Sequence, residues 1–392
     1  MDNNGFPEFR LIMISGDFPP RISGVGDYAW HVGKTASEMG LKVTVVTTES
    51  KDSLDESGLK DIRTIITDWT LTEAKKILRV LQESEKNTAV NIQYYCYSTY
   101  GRRLMINLLP AIIRLLHPYI KIIITMHGFW EQSLLYRIRT IPMMRCAHGV
   151  IYVDHRNRKP IRKYSGIKND RLRYIPIAGN IPPIPSCTPE DKVAWREELG
   201  LSRNDIAVAF FGGIGRNKGF EYLVEAVAKA RKNSKLSLKL IAIGGFHDNG
   251  VVGVYQKEIR NLIENLDIKD FVHILEQPGP SHVSKCLHVC DLAVYPFIQG
   301  VGENSGSMLA ALAHGLPTII TAGPANDPTF SDRFGVIMVP SMNSGDLSKA
   351  IVDLALNPHQ KEKMRKKGLA VTRDLNWDYV TRETINFCQS LL

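Results

Sequence analysis

Hydrophobic and polar positions alternate along the chain in two repeating patterns. Short apolar runs predict buried β-strands, and the stretches between them carry apolar residues three and four positions apart, which predicts helices. The predicted helix over Asp27–Met39 has apolar positions 29, 32, 36 and 39, and Gly40 follows it as a stop signal. Such alternation of strands and helices is typical of a doubly wound parallel sheet. The first half of the chain has predicted strands at Leu11–Ser15, Leu41–Thr47, Thr88–Tyr94, Ile120–Met126 and Gly149–Val153.

A proline-rich segment divides the chain into two halves. Residues 181–189 contain four prolines, too many for a helix or a central strand, and they therefore predict a linker. The same alternation of strands and helices starts again after this segment. We expect one Rossmann-like domain over residues 1–180, a linker over 181–189 and a second Rossmann-like domain over 190–370. The second half has predicted strands at Ala207–Phe211, Leu238–Gly244, Phe271–Leu275, Leu292–Tyr295 and Thr318–Thr321.

A polar, glycine-rich loop over residues 300–307 leads directly into an Ala/Leu helix. Gly315 and Pro317 end this helix. The free backbone N–H groups at a helix start, and the positive end of the helix dipole, suit a phosphate. Glu303 lies beside them and can accept hydrogen bonds from hydroxyls, so the loop is suited to a sugar joined to a diphosphate. The alternative is a loop that opens a helix without a ligand, with Glu303 as a helix cap.

A second loop suited to binding a phosphate follows the predicted strand Ala207–Phe211. Its three glycines, at positions 212, 213 and 215, allow a close approach of backbone to ligand, and Arg216 and Lys218 add positive charge beside a helix start. The loop has neither the glycine spacing nor the ending of a P-loop. An exposed basic turn is the alternative interpretation.

Two features of the first half lie at strand ends. Gly24, Gly26 and Ala29 superficially match the dinucleotide fingerprint, but eight residues separate Gly24 from the preceding strand, so we do not expect a nicotinamide cofactor. His127 ends the strand Ile120–Met126, where the ligand sites of doubly wound sheets lie. It is therefore predicted to be functional, with capping of the sheet edge as the alternative.

Composition narrows the class of protein. The 392 residues are 44% hydrophobic and 23% charged, which is ordinary for a soluble globular protein. The first ten residues lack the apolar core of a signal peptide, no apolar run reaches about 18 residues, and cytoplasmic residence is expected. The six cysteines are scattered, as reduced thiols are. Cys286 and Cys290 are one helical turn apart, and we expect them to pack in the core rather than to bind a metal.

The formal charge of +9 is concentrated in one segment. Residues 137–173 contain eleven Lys or Arg and only two Asp. A solvated basic face is one interpretation, and attraction to an anionic membrane surface is the other. Apolar side chains of Leu134, Leu135, Ile138 and residues 141–144 would enter the head-group layer, which would place the protein at the inner face of the membrane. The segment lacks interleaved aromatics and nucleic-acid motifs, so no nucleic-acid partner is expected.

Taken in order, these motifs resemble glycosyltransferase family 4, whose members are retaining enzymes of the GT-B type. The likeness covers nearly the whole chain. The motifs that carry it are Phe18-Pro-Pro, Ser23-Gly-Val, His127, Ile175-Pro-Ile-Ala-Gly-Asn180, Lys218-Gly219, Asp291 with Pro296-Phe297, Ala311 with Gly315-Leu-Pro317, and Trp377.

The resemblance implies an α/β protein with two facing Rossmann-like, doubly wound domains and an interdomain cleft. It implies a nucleotide-sugar donor, a UDP- or GDP-sugar, held mainly by the second domain. The first domain would bind a hydroxyl acceptor, a saccharide or lipid-linked saccharide of cell-surface glycan synthesis. It implies no metal cofactor. A C-terminal helix over residues 371–392, with Trp377, would return to the first domain.

The resemblance also assigns roles to residues. Lys218 would contact the donor diphosphate, and the backbone of Gly24 and Val25 would approach the donor phosphates. His127 would face the transferred sugar or the acceptor, and together with Lys218 and Glu303 it forms the predicted catalytic set. The remaining predicted donor contacts are Gly213, Arg216, Ser305, Gly306 and Ser307.

Two positions depart from the family pattern. The family carries two Glu separated by seven residues, and counting back from Gly315 these fall on Gly302, with Glu303 one place later, and on Ala310. The usual Arg before Lys218 is Gly213, with Arg216 as the nearest substitute. These departures leave open a non-catalytic homologue that binds a nucleotide or glycan, and a GT-B phosphorylase or epimerase.

Overall fold

Each half of the chain forms its own parallel β-sheet. The computed structural model describes residues 9–21, 23–50, 58–84, 87–96, 98–101, 103–246, 253–323 and 329–392. The chain divides into a first unit, Met1–Ile177 with Asn376–Leu392, and a second unit, Ala178–Leu375.

The first unit begins with alternating strands and helices. Its strands are β1 Arg10–Ser15, β2 Lys42–Thr48, β3 Ile62–Ile66, β4 Thr88–Tyr94, β5 Lys121–Met126, β6 Gly149–Tyr152 and β7 Leu172–Tyr174. Its helices up to residue 177 are α1 Gly24–Glu38, α2 Ala74–Gln82, α3 Met105–Leu116, α4 Leu134–Cys146 and α5 Arg158–Ser165.

The strand order of this sheet explains where its polar loops meet. Among the described residues the order is β3-β2-β1-β4-β5-β6-β7, and every neighbouring pair is parallel. The connections reverse direction between β1 and β4, so the crevice at this topological switch point opens beside the carboxyl ends of β1, β4 and β5. The central strands are buried on both faces, which accounts for their nearly continuous apolar runs.

The second unit repeats the plan. Its strands are β8 Ile206–Phe211, β9 Leu238–Ile243, β10 Val272–Leu275, β11 Leu292–Tyr295, β12 Thr318–Ala322 and β13 Ile337–Pro340. Its helices are α6 Pro189–Glu198, α7 Phe220–Ser234, α8 Val254–Asn265, α9 Pro280–Val289, α10 Gly306–Ala313, α11 Phe330–Phe334, α12 Ser344–Ala355 and α13 Pro358–Asp374.

The second sheet has the order β10-β9-β8-β11-β12-β13, again with parallel neighbours. Its switch point lies between β8 and β11. The two glycine-rich loops singled out in the second half of the sequence follow these same two strands. The topology therefore brings both loops to one edge of one sheet.

Helix α14, Trp377–Gln389, belongs to the first unit although it follows the second along the chain. It packs against α1 and against the sheet. The Trp377 indole lies 4.4 Å from the His31 ring and almost parallel to it. A methyl group on Gly149 would lie 2.7 Å from the Phe387 ring, so glycine at this position of β6 allows the helix to approach the sheet.

The elements differ from their predicted bounds in a few places. Helix α1 begins at Gly24 rather than Asp27, because the Ser23 side chain accepts a hydrogen bond from Gly26 N and caps the helix there. The predicted linker is one residue too long, since Pro189 is the first residue of α6, a position where proline is favoured. Strands β3, β7 and β13 were not predicted.

No helix among the described residues is long and apolar enough to span a membrane.

Candidate functional site

The loop after β8 is shaped by glycines in backbone conformations that other residues rarely adopt. Gly212 has φ 131° and Gly219 has φ 60°. A methyl group on Gly219 would overlap the Pro296 carbonyl oxygen, so the chain after β8 passes directly against the chain after β11. Ile298 N donates to Asn217 O at 3.2 Å and joins the two loops. The turn that carries Lys218 is thereby fixed at the switch point of the second sheet.

Lys218 packs against the aromatic ring of Phe297, where the loops after β8 and β11 meet. Its ammonium nitrogen is 3.8 Å from the centre of the Phe297 ring, a cation–π contact, and the side chain is only partly buried. Predicted Gly213 lies in the same loop, partly exposed. The contact with Phe297 orients a positive charge at the strand ends, where a diphosphate would place its negative charge.

Arg216 is held on another side of the same turn. Its guanidinium forms a 2.7 Å ion pair with Glu258 of α8 and lies 5.0 Å from the Tyr255 ring. The ion pair lies at the surface, since the Arg216 side chain is 59% exposed and the Glu258 side chain 50%. The structure therefore gives Arg216 an ion pair within the protein that the sequence does not indicate, whereas Lys218 contacts Phe297 in the loop after β11.

The start of α10 is ordered by serine side chains. Ser305 is the cap residue, and its Oγ accepts a hydrogen bond from Met308 N at 3.4 Å. The Ser307 hydroxyl lies 3.3 Å from that of Ser305, and the Tyr295 hydroxyl donates to Ser307 O at 2.7 Å. Tyr295 is the last residue of β11. Strand and helix start are thus joined directly, and Ser305, Gly306 and Ser307 present their backbone at the same sheet edge as Lys218.

Glu303 is not the cap of α10, because Ser305 has that role. The Glu303 carboxylate forms a 3.3 Å ion pair with Arg333 of α11, and its side chain is only 10% exposed. The Arg333 guanidinium also lies 5.0 Å from the Phe334 ring. Glu303 is consequently a partly buried, paired carboxylate next to the helix start, and the alternative interpretation of Glu303 as a helix cap is wrong.

Ala310, one of the two positions where the family carries Glu, contacts the first residues of the second unit. It is fully buried. A methyl group on Gly179 would lie 2.8 Å from Ala310 N, and Asn180 N donates to Gly306 O at 3.4 Å. Residues 179–180 therefore lie along α10 and cover the helix at Ala310.

In the first unit, Gly24 and Val25 form the first turn of α1. Ser23 caps the helix and donates from its hydroxyl to Asp17 Oδ2 at 3.2 Å. A methyl group on Gly24 would meet no atom within 4 Å, whereas one on Gly26 would lie 3.1 Å from the Phe18 backbone. The backbone at Gly24 is thus open, as the predicted phosphate contact requires, and that contact stays a prediction.

His127 follows β5 and is 8% exposed. Its Nε2 lies 2.9 Å from Gln93 Oε1 of β4, and its backbone N–H donates to Tyr94 O. The Tyr28 ring of α1 meets the imidazole edge-on, with centroids 4.8 Å apart. Burial lowers the pKa of His127 to about 3, so the ring is neutral near pH 7. Sequence reasoning missed Gln93 and Tyr28, although a buried strand that carries polar residues at alternate positions is a detectable signal.

Two other predictions have structural outcomes. Cys286 and Cys290 are buried, and burial raises the pKa of the Cys286 thiol to about 12, as for packed thiols.

In the basic segment, Leu134, Leu135 and Ile138 are exposed as the membrane interpretation requires. Met143 and Met144 are not, because both lie in the core of the first unit, and their predicted entry into a head-group layer is wrong.

Comparison with known proteins bears on this arrangement. Residues 191–370 match the model of the family described as "Glycosyl transferases group 1". The chain is 25% identical to a D-inositol 3-phosphate glycosyltransferase of Stackebrandtia nassauensis over 202 residues, 50% of this chain and 44% of the relative. It is also 21% identical to a GDP-mannose-dependent monoacylated alpha-(1-6)-phosphatidylinositol monomannoside mannosyltransferase of Corynebacterium glutamicum, over 97% of this chain and 98% of that protein.

Among solved structures, the fold is similar to that of Anabaena HepE in complex with UDP. The TM-score is 0.78 at 14% identity, and the match covers 97% of this chain and 100% of that one. The chain spans about half the length of the curated relatives of the D-inositol 3-phosphate type that it matches. These findings confirm the predicted resemblance to family 4 glycosyltransferases and the predicted fold class, two Rossmann-like α/β domains of the GT-B type.

Proposed function

We propose that the chain, whose residues 191–370 match the model of the group 1 glycosyl transferases, moves a sugar from a nucleotide-diphosphate donor to a hydroxyl acceptor. The observation that carries this proposal is the meeting of Lys218 and the start of α10 at the switch point of the second sheet. Cation and helix start would both act on a diphosphate. A saccharide or a lipid-linked saccharide is the proposed acceptor, in the synthesis of a cell-surface glycan.

The donor is proposed to be a UDP- or GDP-sugar. One relative is GDP-mannose-dependent by name, and the HepE structure holds UDP. The principal demand of the reaction is the negative charge that develops on the diphosphate as the bond to the sugar breaks. Lys218 and the backbone amides of residues 305–307 would stabilise that charge, which preorganised groups in a dry site do most effectively.

We further propose that the configuration at the transferred carbon is retained, as in family 4. Glu303 would accept hydrogen bonds from donor sugar hydroxyls. Its ion pair with Arg333 orients the side chain beside the start of α10. His127 is assigned to the sugar or the acceptor, because it lies at the carboxyl end of β5 next to the switch point of the first sheet.

Transfer itself tests the proposal. Purified protein is incubated with labelled UDP- and GDP-sugars and with saccharide and lipid-linked acceptors, after a thermal-shift screen has selected the nucleotide. We expect Lys218→Met to lower the transfer rate about 100-fold, as loss of an electrostatic stabiliser does. Lys232→Met, on the exposed surface of the adjacent helix α7, is the matched control and keeps full activity.

Two outcomes would contradict the proposal. Tight binding of a nucleotide sugar with neither transfer nor slow hydrolysis would indicate the non-catalytic homologue. Formation of a sugar 1-phosphate from a glucan and inorganic phosphate would indicate a phosphorylase. Equal rates for the Lys218 and Lys232 variants would remove Lys218 from the site while leaving the transferase activity in place.

The first unit also presents a surface suited to an anionic lipid bilayer, which we propose as the place where the protein works. Helices α3 and α4 pack together, and their outer faces expose leucines, among them Leu115 at 81% and Leu135 at 79%. Next to α4, helix α5 carries four exposed cations, at positions 158, 159, 162 and 163. Each Lys or Arg near an anionic surface contributes about 1 kcal/mol.

Several arginines of the basic segment have structural partners instead. Arg139 donates to the backbone oxygens of Gly101 and Arg103, and Arg145 donates to Ser165 O. The membrane proposal therefore rests on α5 and on the exposed leucines. Flotation with anionic liposomes at low salt should recover the protein, and neutral liposomes or high salt should not. Equal recovery with both lipids at low salt would indicate a soluble acceptor.

A further inference from the structure

A row of polar side chains lies inside the first sheet, next to His127. Asn91 and Gln93 of β4 and Thr125 of β5 are each at most 1% exposed. They share one face of the sheet, because residues two apart on a strand point the same way. Buried amides cost free energy unless they are hydrogen-bonded, so a polar row in this position requires a compensating role.

Hydrogen bonds join the members of this row, among them one from the Thr125 hydroxyl to Asn91 Oδ1 at 3.2 Å. Asn91 Nδ2 donates to Thr125 Oγ1 at 3.1 Å, and Gln93 Nε2 donates to Asn91 Oδ1. With its amide nitrogen used in this way, Gln93 turns its carbonyl oxygen, Oε1, toward His127 Nε2 at 2.9 Å. A carbonyl oxygen only accepts hydrogen bonds, so the ring hydrogen must be on Nε2.

We propose that Asn91 and Gln93 are positioning residues that hold His127 as the Nε2–H tautomer, in which Nδ1 is the acceptor nitrogen of the ring. This inference rests on the proposed function, because it assigns His127 to the sugar or the acceptor. A neutral imidazole has one N–H and one acceptor nitrogen, so fixing the first determines the second. Neither amide contacts the ligand in this assignment.

The surroundings of His127 resist rotation of the ring. The Tyr28 ring packs edge-on against the imidazole, and a ring flip would break the bond to Gln93. The backbone after His127 is fixed as well, since the buried Asn157 Oδ1 accepts hydrogen bonds from Phe129 N at 2.8 Å and Trp130 N at 2.9 Å. Burial, which keeps the ring neutral, prevents a second N–H from forming near pH 7.

Nitrogen-15 NMR of the full-length, histidine-labelled protein tests the tautomer directly. We expect the His127 signals of the wild-type protein to show a protonated Nε2 and an unprotonated Nδ1 between pH 6 and pH 8. A protonated Nδ1 would mean that the Gln93 amide does not present its oxygen to Nε2, and would overturn the proposal. This measurement needs no substrate, so it stands even if no transferase activity is found.

Two variants of similar size test the role of Gln93. Gln93→Met removes the acceptor oxygen, and we expect a mixture of tautomers together with an acceptor KM or kcat that is worse by about tenfold. Gln93→Glu keeps an acceptor oxygen, so Nε2–H is retained, and its negative charge raises the His127 pKa. An unchanged tautomer in a folded Gln93→Met variant would overturn the proposal. If that variant does not fold, the wild-type and Gln93→Glu spectra decide.

Discussion

Replacement of Gly219 by alanine should separate backbone strain from steric overlap in the Lys218 turn. Two costs add at this position. A non-glycine residue at φ 60° costs about 1–2 kcal/mol. The new methyl group would also overlap the Pro296 carbonyl oxygen, and overpacking costs about 1–3 kcal/mol. We expect Gly219→Ala to lower the free energy of unfolding of the second unit by about 2–5 kcal/mol.

Gly200 provides the matched control. Its φ is 64°, nearly the same as that of Gly219, but a methyl group there would meet no atom within 4 Å. Gly200→Ala therefore carries the strain without the overlap. Both variants restrict the unfolded chain equally, so that effect cancels, and Gly219→Ala should be less stable than Gly200→Ala by about 1–3 kcal/mol.

Hydrogen exchange followed by mass spectrometry is the suitable assay, because a chain of two units need not unfold in one step. Peptides from β8 and β9 report on the second unit, and peptides from β4 provide an internal reference in the first. Gly219→Ala should also weaken binding of UDP or GDP, since it displaces Lys218. Equal exchange rates in the two variants would refute the argument that close contact between the β8 and β11 loops fixes the turn.

Three further predictions concern other parts of the molecule. The free energy of unfolding should fall as the pH is lowered below about 6.5, because His127 takes up a proton in the unfolded chain but stays neutral in the folded protein down to about pH 3. One such group changes the free energy of unfolding by about 1.4 kcal/mol per pH unit. Denaturant unfolding followed by circular dichroism at several pH values should therefore show that the free energy of unfolding falls less steeply with decreasing pH for His127→Gln than for the wild-type protein. Identical pH dependences would contradict the conclusion that the fold keeps His127 neutral. Glu303→Gln should lower turnover about tenfold or more while nucleotide affinity, measured by calorimetry, stays nearly constant; an equal loss in both would place Glu303 on the nucleotide instead. Trp377→Ala should destabilise the first unit by about 2 kcal/mol, since it removes the ring stack on His31, and hydrogen exchange in α1 measures the loss.

Buried strands were the part of the fold that the sequence predicted best. Strand β4 has the predicted bounds, Thr88–Tyr94, because its side chains are buried along the whole strand and polar residues flank it. Strand β3 was missed because its residues are mostly half-buried and follow no clear period. The start of α1 was misplaced because its cap depends on Ser23 and Asp17, which come together only in the folded loop.

The candidate site was predictable as a set of loops and not as a set of contacts. Glycine spacing and the switch-point rule were sufficient to select the turn of Lys218 and the start of α10. The partners of these residues come from elsewhere in the chain: Glu258 on Arg216, Arg333 on Glu303 and Gln93 on His127. Propensity and periodicity describe short windows, so they carry no information on such pairs.

Helix α14 has a consequence for the order in which the protein is made. Most of the first unit precedes the second along the chain, but the first unit acquires helix α14 only after the whole second unit has been synthesised. During translation the second unit can therefore close its core while the first still lacks the cover over His31 and Gly149. A nascent chain that has reached residue 375 exposes this surface to chaperones and proteases, and the surface is covered only when residues 376–392 have been made.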